Sequence, residues 1–400
     1  MLTNYVILTL CVIVILSYIF DISFKYSKIP GVVLLIAMGI ALQVTVEYSG
    51  LKIPNMRPVL PILGTLGLIF IVMDASLEIK LEKKKARGLG KGILAAVVLL
   101  IVFTALLTIV VVNVWDQPFI KTLLNVIPLG IISSAVAISS SSLLNREQRE
   151  FITFESAVSD IFGILAFDFI ILNQDAFGMG LVSFAFKGLI TIAIAAVMTV
   201  ILALMLHRIK YHVSYIIILT SVVMIYVIAK MVHLPGLFLV VVFGLSLSNN
   251  QLVEHTYVNK FVDFVKFRED INSFKKILSE LTFIVRSLFF IMFGFYTNLA
   301  GLFNPMSILL AAGITAGIFI LRWIYFIVFI GRGSDKLVWF APRGLITILL
   351  FLSIPQALRM EVINEEVITL VILMSIFVMM IGNFLPAKRR TAEDYVADSP

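Results

Sequence analysis

The stretch Glu155-Ser-Ala-Val-Ser-Asp160 places two carboxylates and two hydroxyls within an otherwise apolar part of the chain. On a helix, Ser156 lies one turn from Asp160, and Glu155 lies one turn from Ser159, so two neighbouring polar ridges form. A hydroxyl beside a carboxylate supplies hard oxygen ligands, which suit a small cation. A buried carboxylate favours its neutral form, so Asp160 could release a proton when it binds a cation. The pattern predicts that a proton and a cation compete for one carboxylate.

Asp160 lies deep in an apolar stretch, where a charge is costly. It is about ten residues into the stretch 151–172, about 15 Å along a helix and near the middle of a bilayer. A charged group at that depth costs at least about 2.5–3.5 kcal/mol, so we expect a functional role. Arg322 and Arg343 are also deep, and Glu155 is expected to balance a buried arginine. Four charges nearer to span ends are expected to be structural: Asp74, Asp168, Lys187 and Arg286.

Two apolar stretches carry signals of an interrupted helix. The first holds six serines from Ser133 to Ser142, and serine can satisfy backbone groups where a membrane helix opens. Close packing by small residues explains these serines equally well. The second stretch contains Pro342-Arg343-Gly344, a helix breaker that includes a charge. Arg343 could neutralise the carbonyl groups that such a break exposes.

The composition of the whole chain is that of a membrane protein. Of its 400 residues, 60% are hydrophobic and 14% are charged, against about 25% charge in a soluble domain. Soluble enzymes and disordered chains are therefore excluded, and the apolar runs lack the alternation of an outer-membrane barrel. We expect an all-α polytopic membrane protein with about 13 transmembrane helices. The predicted spans are 4–20, 30–46, 61–79, 90–114, 122–144, 151–172, 181–206, 213–231, 234–248, 281–298, 305–330, 336–355 and 365–385.

The fifth and twelfth spans carry the interruption signals. Because they are seven spans apart, an odd number, they cross the membrane in opposite directions. This predicts inverted repeats with two interrupted helices that cross at the midplane of the membrane.

The charge of the loops predicts the orientation of the protein in the membrane. Of the 31 Lys and Arg residues, 22 fall on the side of the tail at Lys388, five on the opposite side and four within spans. The N-terminus is therefore expected outside and the C-terminus in the cytoplasm.

No further domain and no enzyme activity are expected. Residues 1–400 are interpreted as one transmembrane domain without a soluble regulatory domain, so any pH control would lie in the site itself. The segment 249–280 suits either an amphipathic surface helix or an extension of the tenth span. The net charge of +7 is interpreted as loop charge that orients the protein, and no nucleic-acid partner is expected. The four histidines lie at span ends or in loops without a metalloprotease motif, and no cofactor is expected.

Four landmarks occur in order along most of the chain. They are Leu68-Ile-Phe70 to Leu77-Glu78-Ile79, the signature Glu155-Ser-Ala-Val-Ser-Asp160, the span from Phe289-Phe290 to Gly294, and Arg322 followed by Pro342-Arg343-Gly344. Together they resemble the monovalent cation:proton antiporter superfamily, and within it the electroneutral branch of the sodium/hydrogen exchangers. The ordered set is more specific than any single landmark.

The resemblance implies a core of helices from about 90–172 and 305–385 that moves against dimerisation helices from about 4–79 and 181–298. It implies Asp160 as the carrier of cation and proton. The residues that it implies around the carrier are Ser133, Ser134, Ser156 and Ser159 at the cation site, with Glu155, Arg322 and Arg343 as ion pair and charge compensation. The implied partners are Na⁺, K⁺ or Li⁺, protons, a lipid bilayer and a second copy of the chain. A role in pH homeostasis at a bacterial inner membrane follows.

The chain departs from the family pattern at two places. The residue before the carrier is Ser159 in place of Asn or Asp, which leaves one titratable group in the signature pair. Because Arg322 should not deprotonate, this favours electroneutral exchange of one Na⁺ for one proton. A Ser-Ser-Ala-Val run replaces Thr-Asp-Pro in the fifth span and leaves the choice of cation open. The alternatives are a K⁺/H⁺ or electrogenic antiporter, or a non-transporting membrane protein of the same fold.

Overall fold

The computed structural model describes residues 2–49, 56, 58–78, 86–141, 144–173, 186–195, 197–198, 214–248, 264–331 and 336–384, and their regular structure is entirely helical. The helices of the first half are α1 (Leu2–Ser27), α2 (Gly31–Ser49), α3 (Val59–Glu78), α4 (Ala86–Trp115), α5 (Phe119–Gly130), α6 (Ser134–Ser140), α7 (Arg146–Leu172) and α8 (Phe186–Ala195). Those of the second half are α9 (Ser214–Met231), α10 (Gly236–Ser248), α11 (Phe264–Tyr296), α12 (Leu299–Leu302), α13 (Pro305–Tyr325), α14 (Leu345–Ser353) and α15 (Glu365–Phe384). A π-helical turn, Phe326–Ile330, follows α13, and 3-10 turns occur at Leu337–Trp339 and Gln356–Leu358.

Seven helical segments among the described residues are long and apolar enough to cross a membrane, as expected for a polytopic all-α membrane protein. Every predicted span coincides with a described helix or pair of helices, except that much of 181–206 lies outside the described residues. The largest difference in position is in α11, which begins at Phe264 rather than near residue 281. Residues 264–280 therefore extend the tenth span, and residues 249–263 lie outside the described part.

Both predicted interruptions are present. The first separates α5 from α6, with Ile131 and Ser133 in extended conformation. Pro128 lies in the last turn of α5, where its ring crowds the preceding turn and its missing amide weakens the helix. The second lies between the 3-10 turn that ends at Trp339 and the start of α14, because the residue before Pro342 disfavours helical backbone.

The helices pack in two sets around these interruptions. In the first set, α11 packs against α2 and α3, and α3 packs against α10. In the second set, α4 packs against α5 and α7, and α13 packs against α15. The sets meet where α14 contacts α3 and where α10 contacts α7. The predicted division into core and dimerisation helices, and the movement of one against the other, stay predictions.

Glycines bring two helices of the first set into direct backbone contact. A Cβ atom added at Gly39 of α2 would overlap the carbonyl oxygen of Ile291 in α11. A Cβ atom added at Gly294 of α11 would likewise overlap the carbonyl oxygen of Ile36. Small residues allow such close packing of membrane helices, so α2 and α11 form a tightly packed pair within the first set.

Candidate cation and proton site

Asp160 lies in the middle of α7 and is 2% exposed. Its Oδ2 atom accepts a hydrogen bond of 3.3 Å from the backbone amide of Ser134, the first residue of α6. The Oδ1 atom is buried and has no hydrogen-bond partner among the described residues. Buried polar atoms are normally paired, so this oxygen is free to hold a proton or to coordinate a cation.

Three successive amides of the first interruption are each given a partner by a neighbouring element. The amide of Ile132 donates to the Ser159 hydroxyl at 3.0 Å, and that of Ser133 donates to the carbonyl oxygen of Pro342 at 2.9 Å. The third amide is that of Ser134, which donates to Asp160. These contacts satisfy backbone groups that the end of a helix leaves unpaired, and they hold the Asp160 carboxylate against the interruption.

Ser156 is buried on the same helix as Asp160, but its hydroxyl is bonded locally. It donates to the carbonyl oxygen of Ile152, one turn earlier, at 2.7 Å. A hydroxyl that donates keeps its oxygen lone pairs, so Ser156 remains able to coordinate a cation. The structure thus brings Ser134 into contact with the Asp160 carboxylate, while Ser159 and Ser133 bond to the backbone of the two interruptions.

Arg343 compensates carbonyl groups at both interruptions. Its Nε atom donates to the carbonyl oxygen of Leu129 in the last turn of α5 at 2.6 Å, and its Nη1 atom donates to that of Ala341 at 3.1 Å. The Arg343 amide is held by the Ser375 hydroxyl of α15 at 2.9 Å. A positive charge is favourable at the C-terminal end of a helix, where the carbonyl oxygens are unpaired. The role of Ser375 had no signal in the sequence.

Glu155 and Arg322 form a buried bidentate ion pair. The Nη1 and Nη2 atoms of Arg322 lie 2.5 and 2.7 Å from the two carboxylate oxygens, and both side chains are 1% exposed. Arg322 also donates two hydrogen bonds to the carbonyl oxygen of Leu337, and its guanidinium lies 4.8 Å from the ring centroid of Phe326. The pair therefore fixes α7 to α13 and to the turn that precedes the second interruption.

The second interruption approaches the first so closely that it requires a glycine. A Cβ atom at Gly344 would lie 2.5 Å from the Ser133 hydroxyl and 2.9 Å from the Ser133 Cβ. Beside this contact, a cavity of about 20 Å³ is lined by Ser159, Arg322 and Arg343. That volume suits about one water molecule or a small ion. The close approach and the cavity could not be inferred from the sequence.

Comparison with known proteins gives one family and one fold. Residues 11–386 match the family described as sodium/hydrogen exchanger, transmembrane. Curated proteins give no match. The fold is similar to that of the sodium proton antiporter MjNhaP1 from Methanocaldococcus jannaschii at pH 8, with a TM-score of 0.71, 16% identity and coverage of 95% of this chain and 100% of the other. An electron-microscopy structure of the same antiporter gives a TM-score of 0.67, with 16% sequence identity and coverage of 94% of each chain.

Proposed function

The chain belongs to the sodium/hydrogen exchanger family of transmembrane proteins, and we propose that it exchanges Na⁺ for protons with Asp160 as the shared carrier. One observation carries the proposal. The Asp160 carboxylate is buried where an interrupted helix begins again, with one oxygen bound by that helix and the other without a partner among the described residues. A proton or a dehydrated cation can occupy the second oxygen, but one excludes the other.

The charges around the carrier support electroneutral exchange. Glu155 and Arg322 cancel as an ion pair, and Arg343 carries a positive charge opposite that of ionised Asp160. Binding either one proton or one Na⁺ to Asp160 therefore changes the net charge of the site by the same amount. The loaded and returning forms carry equal charge, so one proton is exchanged for one cation without net charge movement.

Ser159 supports transport in spite of the departure from the family pattern. Its hydroxyl accepts the hydrogen bond from the amide of Ile132, so the interruption keeps its backbone partner without an Asn or Asp at this position. The amides of Ser133 and Ser134 are likewise paired without a carboxylate from the fifth span. The site retains one ionisable carrier and a satisfied backbone, which is what exchange through a single carboxylate requires.

The packing of the helices in two sets supports alternating access. The carrier lies in the set that contains α4, α5, α7, α13 and α15, whereas α2, α3, α10 and α11 form the other set. Movement of the first set against the second would expose Asp160 to the two sides of the membrane in turn. The set that contains α2 and α11, with the glycine contact between these two helices, is the more rigid candidate for the contact between two copies of the chain. The distribution of Lys and Arg along the chain supports an orientation with the N-terminus outside and the C-terminus in the cytoplasm.

Sealed proteoliposomes with an acidic interior and a pH-sensitive dye test the proposed exchange and identify the cation. Na⁺, K⁺ or Li⁺ is added outside with the membrane voltage held at zero or at a fixed potential. The proposal expects Na⁺ to collapse the pH gradient at the same rate at both voltages. A rate that follows voltage contradicts electroneutral exchange, and a correctly folded protein on which no cation acts contradicts transport.

A further inference from the structure

The small cavity between the two interruptions is lined by two buried arginines, and the proposed exchange does not use it. The polar side chains that line its volume of about 20 Å³ are those of Ser159, Arg322 and Arg343, each at most 3% exposed. Most of the remaining lining is apolar and comes from α4 and α13. The volume suits one water molecule or one small ion, so the polar groups and the charge decide which of them it holds.

The polar side chains of the cavity offer hydrogen-bond donors. Arg343 donates through Nε and Nη1 to the carbonyl oxygens of Leu129 and Ala341, whereas its Nη2 atom donates no hydrogen bond within the described part of the chain. The Ser159 oxygen accepts from the amide of Ile132, and the hydroxyl donates to no acceptor among the described residues. No carboxylate is among the described residues that line the cavity. Unused guanidinium and hydroxyl donors in an otherwise apolar cavity suit an acceptor that carries negative charge.

The charges at the crossing leave one positive charge without a partner when Asp160 is loaded. Glu155 balances Arg322 through the bidentate ion pair. Arg343 is opposed only by ionised Asp160, so its charge is uncompensated once Asp160 binds a proton or Na⁺. The helix ends do not remove this charge, because α6 and α14 begin at the crossing and their dipoles oppose that of the end of α5. An uncompensated charge at this depth is costly, and a bound anion would cancel it.

We propose that this cavity binds a small monovalent anion, chloride, between Arg343, Arg322 and the Ser159 hydroxyl. Ionised Asp160 repels chloride, whereas Asp160 loaded with a proton or Na⁺ does not. Chloride and loading therefore strengthen each other's binding, and this coupling is reciprocal. Chloride stays bound while either loaded form crosses the membrane, so exchange remains electroneutral but its rate depends on chloride. The effect on rate rests on the proposed exchange, whereas the binding of chloride does not.

Binding is tested on the purified protein without transport. Chloride replaces gluconate, which is too large for the cavity, at constant Na⁺ concentration and ionic strength, and the unfolding temperature is measured. A ligand that binds only the folded protein raises this temperature, so the proposal expects a rise with chloride and with bromide. Ala96→Val is expected to abolish the rise, because Ala96 lines the cavity and the added methyl groups would fill it. The matched control is Ala95→Val, which changes a neighbour that is 0% exposed and does not line the cavity, and it should keep the rise.

The effect on exchange is tested in proteoliposomes with the voltage held at zero and the same anion on both sides. Wild type is expected to exchange at least about tenfold more slowly in gluconate than in chloride, the factor expected for loss of one charge-assisted hydrogen bond. Ala96→Val should exchange at one rate in both anions. Equal wild-type rates in the two anions overturn the proposal, and so does an unfolding temperature that chloride does not raise, or raises equally in both alanine variants. If Ala96→Val does not fold, the two wild-type comparisons still decide. Chloride binding without any cation-dependent flux contradicts the proposed exchange and leaves the anion site supported.

Discussion

The backbone amide of Ser133 donates a hydrogen bond of 2.9 Å to the carbonyl oxygen of Pro342. This single contact joins the interruptions of two helices that are more than two hundred residues apart in the sequence. The next amide along the chain, that of Ser134, is bound to the Asp160 carboxylate. The crossing and the Asp160 carboxylate are therefore connected by hydrogen bonds, and a change in the crossing is expected to alter the surroundings of Asp160.

The close approach at Gly344 gives the first prediction. Gly344→Ala is expected to reduce exchange by at least about tenfold, because its Cβ would lie 2.5 Å from the Ser133 hydroxyl and would push the two interruptions apart. Exchange in proteoliposomes and thermal unfolding in detergent would be measured together. The control is Gly313→Ala in α13, where a Cβ meets nothing within 4 Å. Equal activity in the two variants would show that the close approach is not needed.

The Glu155–Arg322 pair gives a prediction about stability. Glu155→Gln is expected to lower the free energy of unfolding by about 3–5 kcal/mol, because it leaves the Arg322 charge buried and unpaired. The double variant Glu155→Leu with Arg322→Met should be less destabilised than Glu155→Gln, since no buried charge remains. Glu150→Gln serves as control, because its partner Arg146 is exposed and such a pair is worth at most about 1 kcal/mol. A double variant that is worse than the single would contradict the account.

Competition at Asp160 gives a prediction about pH. A proton on the carboxylate blocks the cation, so the apparent affinity for Na⁺ should weaken as pH falls, by about tenfold for each unit once the carboxylate is mostly protonated. The concentration of Na⁺ that gives half of the maximal rate would be measured at a series of equal internal and external pH values. An affinity that does not change with pH would exclude simple competition for one carboxylate.

Much of the fold follows from the sequence because membrane spans are specified by long apolar runs and interruptions by local backbone chemistry. Pro342 ends helical backbone at its own position, and the serines from Ser133 onward accompany the opening of α5. The charges of the loops predict an orientation without any tertiary information, and this orientation stays a prediction. The extension of α11 back to Phe264 was one of two alternatives, because an amphipathic pattern fits a surface helix as well as a continued one.

The hydrogen bonds of the site could not be predicted, because they depend on how each helix is rotated at the crossing. The sequence places Ser156 and Ser159 on the polar ridges of α7 but does not say that one bonds to Ile152 and the other to the amide of Ile132. The contact of Arg343 with Leu129 depends equally on the distance between two interruptions that are remote in the sequence. Residue types therefore predict a carrier, and only the packed structure assigns each polar group its partner.

The central claim, that one carboxylate binds either a proton or Na⁺, is tested most directly by counting the protons released when Na⁺ binds. Calorimetric titration of the purified protein with Na⁺, repeated in buffers of different ionisation enthalpy, gives this number. The account predicts that release approaches one proton per Na⁺ toward the acidic end of the range in which Na⁺ still binds, and that it falls as pH rises. Asp160→Asn should neither bind Na⁺ nor release a proton. Binding of Na⁺ without proton release, or undiminished binding by Asp160→Asn, would contradict the account.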